Sequence, residues 1–178
     1  MADADYVKLA LELGFSHAAK LTMQALTPMA QVRDMCSADR CQSFGRRWSC
    51  PPACGTLEQA AKRMACYSNG VLVQTIGRLQ DDFDIEAIAQ TQRLHKRQFE
   101  TLVRCVRREQ AHCLPLTAGA CTLCIACTYP GRPCRFPNKM ISSMEAYGLL
   151  VSDVCQKSGL AYYYGPKTIA YTSCILVR

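Results

Sequence analysis

The chain has 178 residues, a formal charge of +7 and thirteen cysteines. That length suits one compact domain, 1–178, able to bury about 70% of its unfolded surface without cross-links. No apolar run is long enough to span a bilayer, the opening MADADYVKLALELG lacks a basic start and an apolar signal core, and the cysteine count is odd; a cytoplasmic protein with reduced thiols is expected, not a membrane protein or an exported disulfide scaffold.

Tyr6, Leu9 and Leu13 recur at helical spacing, which predicts a helix over 4–13 stopped by Gly14, and His17 to Thr22 reads as a short strand. Thr27-Pro28 supplies a cap and a first-turn proline for a helix to about Met35. Residues 36–55 read as a thiol-rich loop. Thr56 and Gln59 form a capping box for a helix ending near Tyr67, and Gly70 to Leu79 reads as a buried strand. Residues 84–111 carry Ile85, Ile88, Ala89, Phe99, Leu102, Val103 and Val106 in a helical stripe. Leu114 to Thr117 is a short strand. Ser142 and Glu145 repeat the capping-box pattern and open a helix through Tyr147, with a further helical stretch to about Lys157. Leu160 to Tyr164 and Thr168 to Val177, flanking Gly165-Pro166, suggest a hairpin. The expected fold is α/β or α+β: a single domain with a small mixed sheet, flanking helices and two cysteine-rich metal-binding loops.

Chemistry concentrates in those loops. Cys121, Cys124 and Cys127 stand three apart, with Cys134 seven further on. One tight loop of this kind can present thiolates to three corners of an iron–sulfur cube while a fourth arrives from nearby. Structural zinc more often takes two separate C-x2-C hooks, and no second one exists here, so the spacing favours [4Fe–4S] over zinc. Cys36, Cys41, Cys50 and Cys54 form a wider set around Trp48 and Pro51-Pro52, whose prolines stiffen the segment. By spacing alone this set is open between a second cluster, ligands that complete the first, and a lone Cys50 ligand among small buried thiols. Cys66, Cys105, Cys113, Cys155 and Cys174, on predicted helices or strands, read as core. His17, His95 and His112 have no paired spacing with a carboxylate or cysteine, and no Ser/His/Asp arrangement, P-loop or dinucleotide fingerprint is present. The basic residues Arg93, Lys96, Arg97, Arg104, Arg107 and Arg108 follow one helix without interleaved aromatics, so a solvated helix face is expected there and nucleic acid is not the expected partner.

The segments MCSADRCQSFGRRWSCPPACGTLEQ at 35–59, GVLVQTI at 70–76 and GACTLCIACTYPGRPCRFPNKMISSMEAYGL at 119–149 resemble the cysteine-rich family of predicted metal-binding proteins, a domain-of-unknown-function family found mainly in anaerobic bacteria and archaea. The resemblance covers nearly the whole chain. It implies thiol positions at Cys36, Cys41, Cys50, Cys121, Cys124, Cys127 and Cys134, and places Cys54 where relatives vary. Phe44-Gly45-Arg46 stands where the family pattern usually has Tyr-Gly-Lys, and Ser142-Ser143-Met144-Glu145 where it has Pro-Ser-Met-Glu. The family label implies metal binding and no reaction.

The functional expectation is an iron–sulfur protein with one or two [4Fe–4S] clusters per chain, passing single electrons to a redox partner protein. Arg46, Arg47, Arg132 and Arg135 would tune its potential or dock an acidic partner. The alternatives are an enzyme with an open iron acting on a small ligand, and a zinc-binding structural or sensing module.

Overall fold

The computed structural model describes residues 3–178. Helix α1 (Asp3–Glu12) leads to strand β1 (His17–Lys20), a 3-10 turn at Met23–Ala25 and helix α2 (Ala30–Ser37). Helix α3 (Leu57–Met64), strand β2 (Asn69–Arg78) and the long helix α4 (Ile85–Glu109) follow. Strand β3 (Leu114–Leu116), a 3-10 turn at Glu145–Tyr147, helix α5 (Val151–Lys157) and strand β4 (Thr168–Val177) complete the order. Among the described residues no helix is long and apolar enough to cross a membrane.

The four strands form one sheet in the order β1-β2-β4-β3, and every ladder is antiparallel. Of the two expected classes this is α+β, and the expected mixed sheet is corrected. The reason lies in the last strand. Strands β2 and β3, joined through α4, run the same way as a helix crossover requires, but β4 enters between them and pairs antiparallel with both.

Alternation along the central strands gives each sheet face its own core. Val71 and Val73 of β2 and Ile175 and Val177 of β4 pack with Tyr6, Ala10, Phe15, Phe99, Leu102, Val103 and Val106, so α1 and α4 cover one face. Leu72, Cys174, Leu176 and Leu116 face the other way, against Ala60, Met64, Met144, Tyr147, Leu149 and Val154. Each fully buried Leu or Phe contributes about 1.5–3 kcal/mol.

Local signals explain several boundaries. Gly14, at φ +87°, ends the first helix as expected. The Thr56 hydroxyl accepts from the Gln59 amide at 3.2 Å while Gln59 Oε1 accepts from the Thr56 amide at 2.9 Å, completing the expected capping box of α3. In α4 the stripe is buried from Thr91 onward, and Ile85 at its start is exposed.

Three expectations are corrected. Thr27-Pro28 does not cap α2, because Met29 is the capping residue and its amide donates to Gly148 O at 2.8 Å. Ser142 caps no helix: its carbonyl accepts from the Thr117 amide at 2.9 Å, and Ser143 Oγ instead accepts from the Ala146 amide at 3.1 Å. Finally, residues 160–164 form no strand and there is no terminal hairpin. Gln74 holds that segment, donating to Ala161 O at 2.9 Å and accepting from the Tyr164 hydroxyl at 2.6 Å.

Candidate metal centre

Two stretches without helix or strand, 38–55 after α2 and 118–142 after β3, carry most of the chemistry-bearing thiols. Cys36 comes from the last turn of α2.

The downstream thiols meet at one hollow. Cys121, Cys124, Cys127 and Cys134 line it together with Arg47, Trp48 and Ser49 of the upstream stretch, around a cavity of about 20 Å³. Backbone and side-chain bonds hold this wall. Arg47 Nη1 donates to Cys121 O at 2.9 Å, Trp48 Nε1 to Arg132 O at 3.1 Å, and Arg135 Nη1 to Ala126 O at 2.9 Å. Trp48 also packs edge-on against Tyr129, with ring centroids 4.9 Å apart. From α4, Lys96 Nζ donates to Ala120 O at 3.0 Å and to Thr122 Oγ1 at 3.3 Å.

The upstream thiols border a second cavity of about 280 Å³, lined by Cys36, Cys41 and Cys50 with Val32, Met35, Phe44, Arg40 and Glu145 among its other walls. Cys54 lines a different hollow, with Trp48, Arg63, Arg107 and Cys113. Its sulfur accepts from Arg33 Nη2 at 3.4 Å and approaches Ala146 O at 3.7 Å, while Arg33 Nη2 also donates to Gly55 O. One oxygen of Glu145, Oε2, is buried without a hydrogen-bond partner.

Ser49 joins the two groups. It is 1% exposed, its Oγ lies 3.6 Å from Cys50 Sγ, and it accepts from the Cys121 amide at 3.2 Å. The Cys50 thiol and the Cys121 backbone are therefore bridged by one side chain.

Burial raises four of these thiols. It pushes Cys36 up, and the Glu145 carboxylate and Cys41 add to this. Burial likewise raises Cys50, against a hydrogen bond from Ser49, and raises Cys54, against the Arg33 guanidinium. Cys121 is raised by burial and by the neighbouring Cys134, Cys124 and Cys127. Cys127 goes the other way. Desolvation raises it, but the backbone N–H groups of Tyr129 and Trp48 and the Arg47 guanidinium outweigh this and lower the thiol.

Among the described residues no three His, Cys, Asp or Glu side chains converge tightly enough to hold one ion. The thiols border hollows instead. Chemically, the downstream hollow offers four thiols and the upstream cavity three thiols and a carboxylate.

Of the remaining cysteines, Cys155 and Cys174 are core, as expected. Cys66 is exposed in the turn after α3, Cys105 is half-buried on α4, and Cys113 precedes β3 instead of lying within it. The core expectation is corrected for Cys66, which lies past the end of α3, and for Cys105, which falls outside the buried stripe of α4; Cys113, half-buried, packs against the core on the face that α1 and α4 cover. His95 is fully buried and hydrogen-bonded within the fold. Ser49, Lys96 and the cavity-facing role of Glu145 escaped sequence reasoning. Only the position of Ser49 beside Cys50 offered a signal.

The family model described as "Predicted metal-binding protein (DUF2284)" matches residues 19–177. The chain belongs to this family. No curated protein matches it, and no solved structure does.

Proposed function

We propose that the protein is a cytoplasmic iron–sulfur protein that carries single electrons to a redox partner protein. In this reading Cys121, Cys124, Cys127 and Cys134 hold one [4Fe–4S] cluster, and Cys36, Cys41 and Cys50, with Cys54 beside them, hold a second. The observation that carries it is the Ser49 junction, with Cys50 Sγ at 3.6 Å on one side and the Cys121 amide at 3.2 Å on the other. Metal groups held by the two sets would flank one buried serine, an arrangement that favours passage of an electron from one to the other. The donor set supports the assignment, since four thiols on one hollow are what a cube takes. Arg47 and Arg135 border that hollow and would tune its potential through charge, while Arg46, paired with Asp39 at 3.4 Å, and Arg132 stand ready for an acidic partner.

The test is iron, sulfide and zinc per chain on anaerobically purified protein, with its visible spectrum. About eight irons and eight sulfides, bleached reversibly by a low-potential reductant, are expected. Cys124→Ala should remove about four of those irons. Zinc without sulfide overturns the reading in favour of a structural or sensing module.

A second reading, a cluster enzyme with an open iron, is favoured by the cavity of about 280 Å³ in front of Cys36, Cys41 and Cys50. A change in one cluster's electron paramagnetic resonance (EPR) signal on adding cyanide to the reduced protein would favour it over the electron carrier.

A further inference from the structure

We propose that Glu145 is the fourth ligand of the upstream metal group, an oxygen donor alongside Cys36, Cys41 and Cys50, and that Cys54 is a positioning residue outside the coordination sphere. This rests on the reading that the upstream thiols hold metal. Three observations converge on it.

The first is placement. Cys36, Cys41, Cys50 and Glu145 line the same cavity, whereas Cys54 lines the hollow beside Arg63, Arg107 and Cys113. The second is satisfaction. Cys54 Sγ already has Arg33 Nη2 at 3.4 Å to accept from and Ala146 O at 3.7 Å to donate to, the bonding of a protonated structural thiol. Glu145 Oε2 is the opposite case, a carboxylate oxygen buried with no donor. Leaving such an atom unpaired is unfavourable, and a cation in the cavity would satisfy it.

The third is support. Glu145 opens a 3-10 turn whose geometry is fixed from both sides: Ser143 Oγ accepts from the Ala146 amide at 3.1 Å, and the Gly148 amide donates to Glu145 O at 2.8 Å. Met29, the capping residue of α2, donates to Gly148 O at 2.8 Å, so the turn carrying Glu145 is tied to the helix carrying Cys36.

The consequence is a site with two kinds of ligand. Carboxylate oxygen is a harder donor than thiolate and holds iron less firmly, so the metal position beside Glu145 is the exchangeable one.

The experiment compares the full chain, reconstituted anaerobically with iron and sulfide, as wild type, Glu145→Gln and Cys54→Ala. Cys54→Ala should keep the wild-type iron count and EPR spectrum. Glu145→Gln should lose at least one iron per chain and change the signal of one cluster, while the four irons of the other remain and report that the chain is folded. Full iron and an unchanged spectrum in Glu145→Gln, or iron loss in Cys54→Ala, overturns the proposal and leaves the two-cluster reading standing. A wild-type chain that takes up no metal overturns both.

Discussion

Ser49 and Cys127 show how much of the candidate site depends on single polar contacts. The Ser49 hydroxyl satisfies the Cys121 amide and touches Cys50 Sγ inside a nearly sealed environment. Ser49→Ala removes the acceptor and leaves the amide with no partner in its place, at a cost of about 1–3 kcal/mol. For a chain of this length that corresponds to a fall in Tm of roughly 2–12 °C, readable by circular dichroism on metal-free protein. Cys127 gives a chemical prediction. Its thiol is lowered because backbone N–H groups and Arg47 overcome its desolvation, whereas Cys121 is raised by burial and by its neighbouring thiols. Thiolate is the nucleophile, so metal-free reduced protein treated briefly with iodoacetamide near neutral pH should alkylate Cys127 ahead of Cys121. Equal labelling in peptide maps would show that those donors do not govern the thiol. At this scale the sequence was partly readable. The close spacing of Cys121, Cys124, Cys127 and Cys134 anticipated a shared hollow, since a short chain segment cannot carry them far apart. The separation of Cys54 from Cys36, Cys41 and Cys50 was not readable, because it follows from Arg33 and Ala146, distant in sequence and adjacent in space.

The helices and turns around the site depend on junctions as much as on propensity. Gly148 is the clearest case. It sits at φ +76°, and a Cβ there would come within 2.6 Å of Leu57 Cδ2 and 3.1 Å of the Met29 backbone N and O. Gly148→Ala should therefore destabilise by more than about 1 kcal/mol, through both backbone strain and displacement of the start of α2. A denaturant midpoint equal to wild type would mean that the junction between α2 and the Glu145 turn is slack. Thr56→Ala is the milder counterpart, losing one half of a capping box for about 1 kcal/mol. The contrast between the two capping boxes shows where local reading works. Thr56 and Gln59 need only each other and the first turn of α3, so sequence spacing predicts them. Ser142 and Glu145 have the same spacing, yet the chain at Ser142 is engaged by Thr117 and Ser143 makes a bridge to Thr117, so tertiary pairing overrides the local cap. The absent hairpin has the same cause. Alternation over Leu160 to Tyr164 looks strand-like, but Gln74 of β2 claims Ala161 and Tyr164 through polar bonds that no local pattern encodes.

Across the whole molecule, one buried polar chain connects the sheet, α4 and the start of the downstream thiol stretch. The Ala118 amide donates to Ser173 Oγ at 3.0 Å, Ser173 lies 2.7 Å from His95 Nε2, and His95 Nδ1 lies 2.9 Å from Thr75 Oγ1. Thr75 in turn donates to Gln98 Oε1 at 2.9 Å. The directions follow from the ends. Thr75 spends its proton on Gln98, so it accepts from His95 Nδ1–H; His95 Nε2 is then bare and accepts from the Ser173 hydroxyl. Every member is satisfied only while the imidazole is neutral, since a proton on Nε2 would face the Ser173 oxygen and displace that donor. Burial, with a smaller push from Lys96, lowers His95 from the usual 6.5 to about 3. The sign follows directly. Below pH 6.5 the unfolded chain takes up a proton that the folded chain refuses, so this contribution to stability is complete above 6.5 and is lost as pH falls toward 3. The slope is about 1.4 kcal/mol per pH unit at its steepest. Carboxylates also titrate in this range, so the comparison is with His95→Gln, which keeps a polar group but has no imidazole to protonate. Unfolding free energies measured by urea between pH 7 and pH 4.5 should fall more steeply in wild type than in His95→Gln, and the two lines should converge as pH drops. Parallel lines would mean that the buried imidazole is protonated in the folded chain as well, and that the Ser173 link to the thiol stretch survives its charge.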